Sequence, residues 1–183
     1  MVNEKQLTIF LCKILRHEPK KFGVNVDEYG SCDMDELVKA INNQKNWDGV
    51  TKELILKMAR EDKKERYQIE GNTIRARYGH SYPVKHKAFN RELPTVLYHG
   101  TNKKSLYKIM DCKEGLLPME RENVHLSESR NFADLAAKRR KDPRMIKLDV
   151  KKARELGVSF TYVGNEVWLS GPVPVECLEE IKF

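Results

Sequence analysis

Arg16 and His17 stand together at the end of a helical apolar repeat, directly before Glu18-Pro19. Two cations at a helix C-terminus suit the negative end of the macrodipole. The same pair can also grip an anion and move a proton, because a guanidinium forks onto phosphate oxygens and an imidazole titrates near neutrality. His99-Gly100-Thr101 follows a short run of strand formers and reads as a turn that opens a helix. There glycine permits close backbone approach, a helix N-terminus offers N–H groups, and His and Thr can hydrogen-bond a ligand. His125 alternates with Val124 and Leu126 in a second strand-like run, and Arg121 precedes it in Met-Glu-Arg-Glu-Asn. Each residue alone has an ordinary explanation, a satisfied core histidine or a solvated loop cation. Jointly they describe a site built from Arg and His.

The familiar alternatives are missing. The chain contains no G-x-G-x-x-G, G-x-x-x-x-G-K-[ST], H-E-x-x-H or G-x-S-x-G, which argues against a Rossmann enzyme, a P-loop NTPase, a zincin and an α/β-hydrolase. Cys12, Cys32, Cys112 and Cys177 form no C-x-x-C pair, so reduced thiols are expected, with neither a metal site nor a redox couple. There is no apolar run of membrane-spanning length, and the N-terminus opens into an amphipathic segment instead of a signal peptide, which points to the cytoplasm.

The elements that must position these residues fall into two halves. Leu7, Phe10, Leu11, Ile14 and Leu15 recur at helical spacing, as do Leu37, Val38 and Ile41, and Asp33 with Glu36 forms a capping box before the second group. Thr51 caps a third helix through Leu54, Ile55 and Met58. Two short strands, 66–70 and 73–77, then flank a Gly71-Asn72 turn. Three helices and a hairpin make a winged-helix unit over residues 1–83, a common nucleic-acid-binding module. A linker over 84–93, where the apolar pattern lapses, leads to 94–183. That half reads as strands at Val96–His99, Val124–Ser127, Met145–Val150, Val158–Val163 and Val167–Leu169. Helices are expected from Asn102 to about Asp111 and from Ser129 through Ala136, so the fold class is α+β.

The 183 residues carry 34 Lys+Arg against 27 Asp+Glu, a formal charge of +7, which favours a polyanionic partner such as RNA or DNA. The excess is spread as +2 over 1–83, +2 over 84–93 and +3 over 94–183. Lys138-Arg139-Arg140-Lys141, Arg75 and Arg77 are dense basic positions, ordinarily solvated faces, and candidates to contact nucleic-acid phosphates if they converge in space.

At this point Leu15-Arg16-His17-Glu18-Pro19, with residues 23–30 (Gly-Val-Asn-Val-Asp-Glu-Tyr-Gly) and Asp35-Glu36-Leu37, resembles the N-terminal signature of the RNA 2′-phosphotransferases. These are NAD-dependent enzymes of tRNA splicing and related RNA processing. The likeness continues in order through Lys64-Glu65-Arg66-Tyr67, Ile74 to Ser81, Leu97 to Thr101, Gly115 to Pro118, Glu120-Arg121, Val124 to Ser127 and Val167-Trp168-Leu169. Two steps depart from it: Ser31-Cys32 replaces a Gly-Trp step, and Tyr78 stands where relatives often carry Gln.

The resemblance implies a winged-helix domain joined to an ADP-ribosyltransferase-like domain with a split, mostly antiparallel sheet. It implies a catalytic quartet of Arg16, His17, Arg66 and Arg121. It also implies NAD contacts from His99, Gly100 and Thr101, with His125 and Ser127 at a second signature, and no metal. The implied substrates are NAD and an RNA with an internal 2′-phosphate; separately from the resemblance, a monomer is expected. In the first implied step the phosphate attacks C1″ of the nicotinamide ribose. In the second the ribose 2″-hydroxyl attacks that phosphate, freeing the RNA 2′-OH and ADP-ribose 1″,2″-cyclic phosphate. A phosphate monoester is largely a dianion at pH 7 and needs capture more than a base, hence the arginines. His17 is the quartet member suited to proton transfer in the second step. Related protein-modifying transferases carry a Glu on a late strand that claims the 2″-hydroxyl; here Val167 falls at that position, beside Glu166. The rival readings are a winged-helix regulator with a degenerate transferase domain and an ADP-ribosyltransferase acting on nucleic-acid ends or proteins.

Overall fold

Leu7, Leu11, Ile14 and Leu15 are all buried along one face of α1 (Glu4–Arg16), and this stripe seeds the first of two cores. The computed structural model describes residues 3–182 and divides the chain into two compact units, Met1–Lys87 and Ala88–Phe183. In the first unit α1 is followed by β1 (Ser31–Asp33), α2 (Met34–Asn42), α3 (Lys52–Glu61), β2 (Tyr67–Glu70) and β3 (Thr73–Ala76). Leu37 and Ile41 of α2, Ile55 of α3 and Ile74 of β3 complete its core with the α1 stripe. The expected hairpin is part of a three-stranded antiparallel sheet of order β1-β3-β2. The extra strand is three residues long, too short to print an alternating pattern.

The capping box over α2 is only half made. Asp33 accepts from the Asp35 and Glu36 N–H groups, but the Glu36 carboxylate turns away and accepts from Asn25 N at 3.0 Å and Nδ2 at 2.7 Å. Tying down a neighbouring loop wins over the reciprocal cap. The Ser31-Cys32 departure is absorbed in β1, where Cys32 is buried and its thiol faces the Ile74 carbonyl at 3.6 Å. Arg75 also differs from expectation: it lies on the central strand, 3 % exposed, with Nη2 donating to Gln68. A buried guanidinium is not a surface contact for flanking phosphates.

The second unit holds β4 (Val96–Asn102), α4 (Lys103–Met110), β5 (Val124–Ser127), α5 (Arg130–Ala137), β6 (Pro143–Asp149), α6 (Val150–Glu155), β7 (Phe160–Tyr162), β8 (Val167–Ser170) and β9 (Leu178–Ile181). Six strands form an antiparallel sheet of order β7-β8-β5-β4-β6-β9. Leu97, Leu126, Ile146, Leu148 and Trp168 make its core. β4 and β5 share one register pair, Tyr98↔Ser127, whereas β4 and β6 share seven. The halves β7-β8-β5 and β4-β6-β9 are thus joined at a single point. β9 is an edge strand missed in the sequence, because its alternation is masked by Glu179 and Glu180, the former paired with Lys147. The protein is mixed α+β, and among the described residues no helix is long and apolar enough to cross a membrane.

Candidate active site

α1 delivers Arg16 as its last residue and His17 as its C-cap. A later loop of the same unit meets them there: Ser81 N–H donates to the Arg16 carbonyl at 2.9 Å and the Tyr82 hydroxyl to the Leu15 carbonyl at 2.7 Å. These bonds satisfy helix-terminal carbonyls that have no partner inside the helix. The Arg16 guanidinium lies over the Tyr78 ring at 5.0 Å, a cation–π contact. Tyr78, the second departure, is buried and its hydroxyl donates to the Lys64 carbonyl at 3.3 Å. Arg16 Nε and Nη2 are buried and make no hydrogen bond among the described residues. Orphaned buried donors on a cation are costly unless an anion joins them.

Arg66 precedes β2 and is held by Asp62, the residue that ends α3. Its Nη2 donates to Asp62 Oδ1 at 2.6 Å and its Nε to Oδ2 at 2.9 Å, while its backbone N–H also donates to Oδ2 at 2.7 Å. The hydrogen bond to that carboxylate raises the Arg66 pKa further above the ordinary arginine value. Asp62 escaped the sequence reading; the only signal was an acid four residues before a candidate arginine. Both Arg16 and Arg66 lie close enough to buried Tyr67 for their charges to oppose the rise that burial imposes on its phenol.

His80 follows Gly79 in the same loop. It is 2 % exposed, and neither ring nitrogen has a hydrogen-bond partner among the described residues. Burial, together with His86, Arg16, Arg75 and His17 nearby, pushes its pKa down to about 3. It is a neutral imidazole inside a cationic cluster.

In the second unit His99, Thr101, Arg121 and His125 line one cavity of about 400 Å³. The expected turn is corrected here: β4 runs on to Asn102, and α4 begins only at Lys103 with Asn102 as its cap. His99, Gly100 and Thr101 therefore pair with Ile146, Met145 and Arg144 of β6 and do not sit on a helix N-terminus. The ladder with β6 carries the strand through the glycine. Gly100 does not line the cavity; a Cβ there would lie 2.2 Å from the Ala133 carbonyl oxygen and 3.0 Å from Ala137, so its absence lets α5 pack on β4. Ser127 is likewise outside the lining, buried between Tyr98 and Val167 in the sheet.

His99 Nδ1 donates to the His125 carbonyl at 2.9 Å across the single-pair joint. That bond leaves Nε2 as the acceptor of the neutral ring. Burial lowers the His99 pKa, the bond to His125 opposes the shift, and the charges of Arg140 and Arg121 reinforce it. Arg140, read from sequence as an RNA contact, lines this cavity together with Lys108. Its neighbour Lys138 is paired with Asp134 at 2.5 Å. Arg121 is exposed, in a loop where its N–H donates to the Pro118 carbonyl at 3.2 Å. Val167 opens β8, buried, and the adjacent Glu166 carboxylate accepts from the Ser129 hydroxyl.

The cavity suits a dinucleotide by donor set and size. Lys108, Arg121 and Arg140 outnumber Glu114 and Glu120 in the lining and provide positive charge for a pyrophosphate, and Ile109, Leu116 and Val124 provide an apolar wall for a nucleoside.

Comparison with known proteins gives one consistent family. The family described as "RNA 2′-phosphotransferase, Tpt1 / KptA family" matches residues 2–171. Proteins named "Probable RNA 2′-phosphotransferase" are similar to this chain over nearly its whole length. That of Pyrococcus furiosus is 42 % identical over 169 residues, covering 92 % of this chain and 90 % of the relative. That of Bacillus thuringiensis subsp. konkukian is 40 % identical over 88 % and 87 % of the two chains, and that of Rhizobium leguminosarum bv. trifolii is 35 % identical over 96 % and 93 %.

Proposed function

Because the chain belongs to the RNA 2′-phosphotransferase family, Tpt1 / KptA, and removes RNA 2′-phosphates with NAD⁺ as co-substrate, we propose a role for each residue of its site. Arg16, His17, Arg66 and Arg121 engage the RNA 2′-phosphate. His99, Thr101 and His125 hold NAD⁺, with Arg140 and Lys108 on its pyrophosphate. The single observation that carries the phosphate assignment is Arg16, next to His17 at the end of α1, with two buried guanidinium donors that have no hydrogen-bond partner among the described residues.

NAD⁺ supplies an electrophilic ribose carbon with nicotinamide as leaving group, and a 2″-hydroxyl that completes the transfer. The protein's own residues bind, orient and move protons. Guanidinium forks hold a phosphate dianion bidentately and do not lose their protons, so they fix its oxygens and stabilise charge that develops on them. Asp62 locks the Arg66 guanidinium in one plane, so little rotamer entropy is lost on binding. His99 stays neutral and presents Nε2 as an acceptor. In the second step the 2″-hydroxyl gives up one proton and the departing RNA oxygen takes one, and His17 is the residue that carries it. Val167 offers no carboxylate to the 2″-hydroxyl, and Glu166 is engaged by Ser129, which leaves that hydroxyl available as the nucleophile.

On this reading residues 1–87 are a winged-helix RNA-binding domain, supported by three helices and an antiparallel hairpin. Residues 88–183 are an ADP-ribosyltransferase-like domain, supported by the sheet joined at one pair beside His99. The RNA carries an internal 2′-phosphate, and the enzyme acts as a monomer in the cytoplasm, where its four free cysteines stay reduced. The test is incubation with a 2′-phosphorylated oligoribonucleotide, with and without NAD⁺, followed by mass spectrometry. Wild type yields the 2′-OH RNA and ADP-ribose 1″,2″-cyclic phosphate, and Arg121→Ala yields neither. A stable ADP-ribosyl adduct with no cyclic phosphate would overturn the assignment in favour of an ADP-ribosyltransferase.

A further inference from the structure

We infer that Ser81 is a positioning residue for His17: its hydroxyl holds the imidazole in the Nδ1–H form and leaves Nε2 as the nitrogen that exchanges a proton with substrate. Ser81 Oγ lies 3.0 Å from His17 Nδ1 and 3.4 Å from the Arg16 carbonyl oxygen. A hydroxyl has one proton to give, and a carbonyl can only accept. The Ser81 proton therefore goes to the Arg16 carbonyl, and Oγ accepts from Nδ1–H. The reverse arrangement would set two oxygen lone pairs against each other at 3.4 Å.

The surrounding loop serves the same end. Gly79 has φ +90°, and a Cβ there would lie 3.4 Å from Arg16 Cδ and Nη1, so the chain passes close under that guanidinium. Ser81 N–H fixes the Arg16 carbonyl, which places Oγ beside the next residue, His17. Because Oγ is an acceptor toward Nδ1, the bond persists whether the ring is neutral or protonated, and every gain or loss of a proton occurs at Nε2. A carboxylate in this place would hold the ring as imidazolium and add negative charge next to a phosphate site; a serine sets the tautomer without either effect. This inference rests on the proton-transfer role given to His17 above.

Long-range ¹H–¹⁵N spectra of the histidine-labelled full chain at pH 8, with the His17 signals assigned through His17→Gln, report the tautomer directly. Wild type and Ser81→Thr are expected to show a protonated Nδ1 and a bare Nε2, whereas Ser81→Ala loses that preference. Turnover of the 2′-phosphorylated oligoribonucleotide by Ser81→Ala falls about tenfold in kcat, the worth of one hydrogen bond to a charged group, with KM for NAD⁺ unchanged, and Ser81→Thr restores it. The backbone bond from Ser81 N–H survives in both variants, so folding is preserved. An Nε2–H tautomer in wild type, or wild-type spectra and kcat in Ser81→Ala, would overturn the role of Ser81. Undiminished turnover by His17→Ala would instead remove the role given to His17 itself, while the spectra judge Ser81 independently.

Discussion

Replacing His80 with leucine should make the first unit less sensitive to acid. The imidazole is 2 % exposed with a pKa near 3, against an ordinary value of 6.5. A histidine whose folded pKa is depressed takes up a proton more readily when unfolded, so its contribution to stability falls as pH drops below 6.5 and levels off near 3. At pH 5 the gap is 1.5 units below the ordinary value, which costs the folded state about 2 kcal/mol relative to pH 7. Carboxylates whose pKa is lowered by their partners, such as Asp33 and Glu70, weaken the fold only at more acid pH. The window from pH 6.5 to 5 therefore isolates histidine. The assay is urea unfolding at pH 7 and pH 5 in a Trp168→Phe background, where the remaining tryptophan, Trp47, is stacked on Phe10 in the first unit. The His80 chain should lose about 2 kcal/mol more than the His80→Leu chain between the two pH values. Equal losses would refute the argument, because they would mean that His80 either titrates normally or has a partner when folded.

Arg140→Ala separates the cavity assignment from an RNA contact: KM for NAD⁺ should rise about 10- to 100-fold, the loss of a charge-assisted hydrogen bond, while KM for the RNA is unchanged in steady-state assays. Arg66→Lys keeps the charge but loses the fork on Asp62, and kcat/KM should fall by about 10- to 100-fold with no change in melting temperature beyond a few degrees. Gly100→Ala forces a Cβ to 2.2 Å from the Ala133 carbonyl, and calorimetry should show a loss of about 1–3 kcal/mol as α5 is pushed from β4.

The residues of the proposed site are named from short local blocks, because the chemistry demands particular residue types. Type and spacing single out Arg16-His17, His99-Gly100-Thr101, Arg121 and His125, whereas Arg66 enters only through the family resemblance. Most helices were legible too, since α1, α2 and α3 print their buried faces at helical period, α5 begins at the expected Ser129 cap and α4 one residue after the expected start at Asn102, whereas α6 falls where a strand was expected to end. β1 and β9 were not, one being too short and the other an acidic edge strand. His99-Gly100-Thr101 looked like a turn because glycine favours turns, yet a seven-residue ladder with β6 and the packing of α5 hold it in a strand.

The sequence by itself determined the ingredients: α+β halves, a basic chain, a set of candidate Arg and His residues and a family. Local spacing carries that information, since helical periodicity, capping residues and motif blocks are set within a few residues of one another. Only the tertiary structure decided the partners. It buried Arg75, put Arg140 in the cavity with His99, and paired Arg66 with Asp62. It also brought Ser81 to His17, 64 residues away. Whether a cation is solvated, paired or orphaned depends on groups distant in the chain, and desolvation and hydrogen bonding are properties of the packed environment that no local pattern encodes.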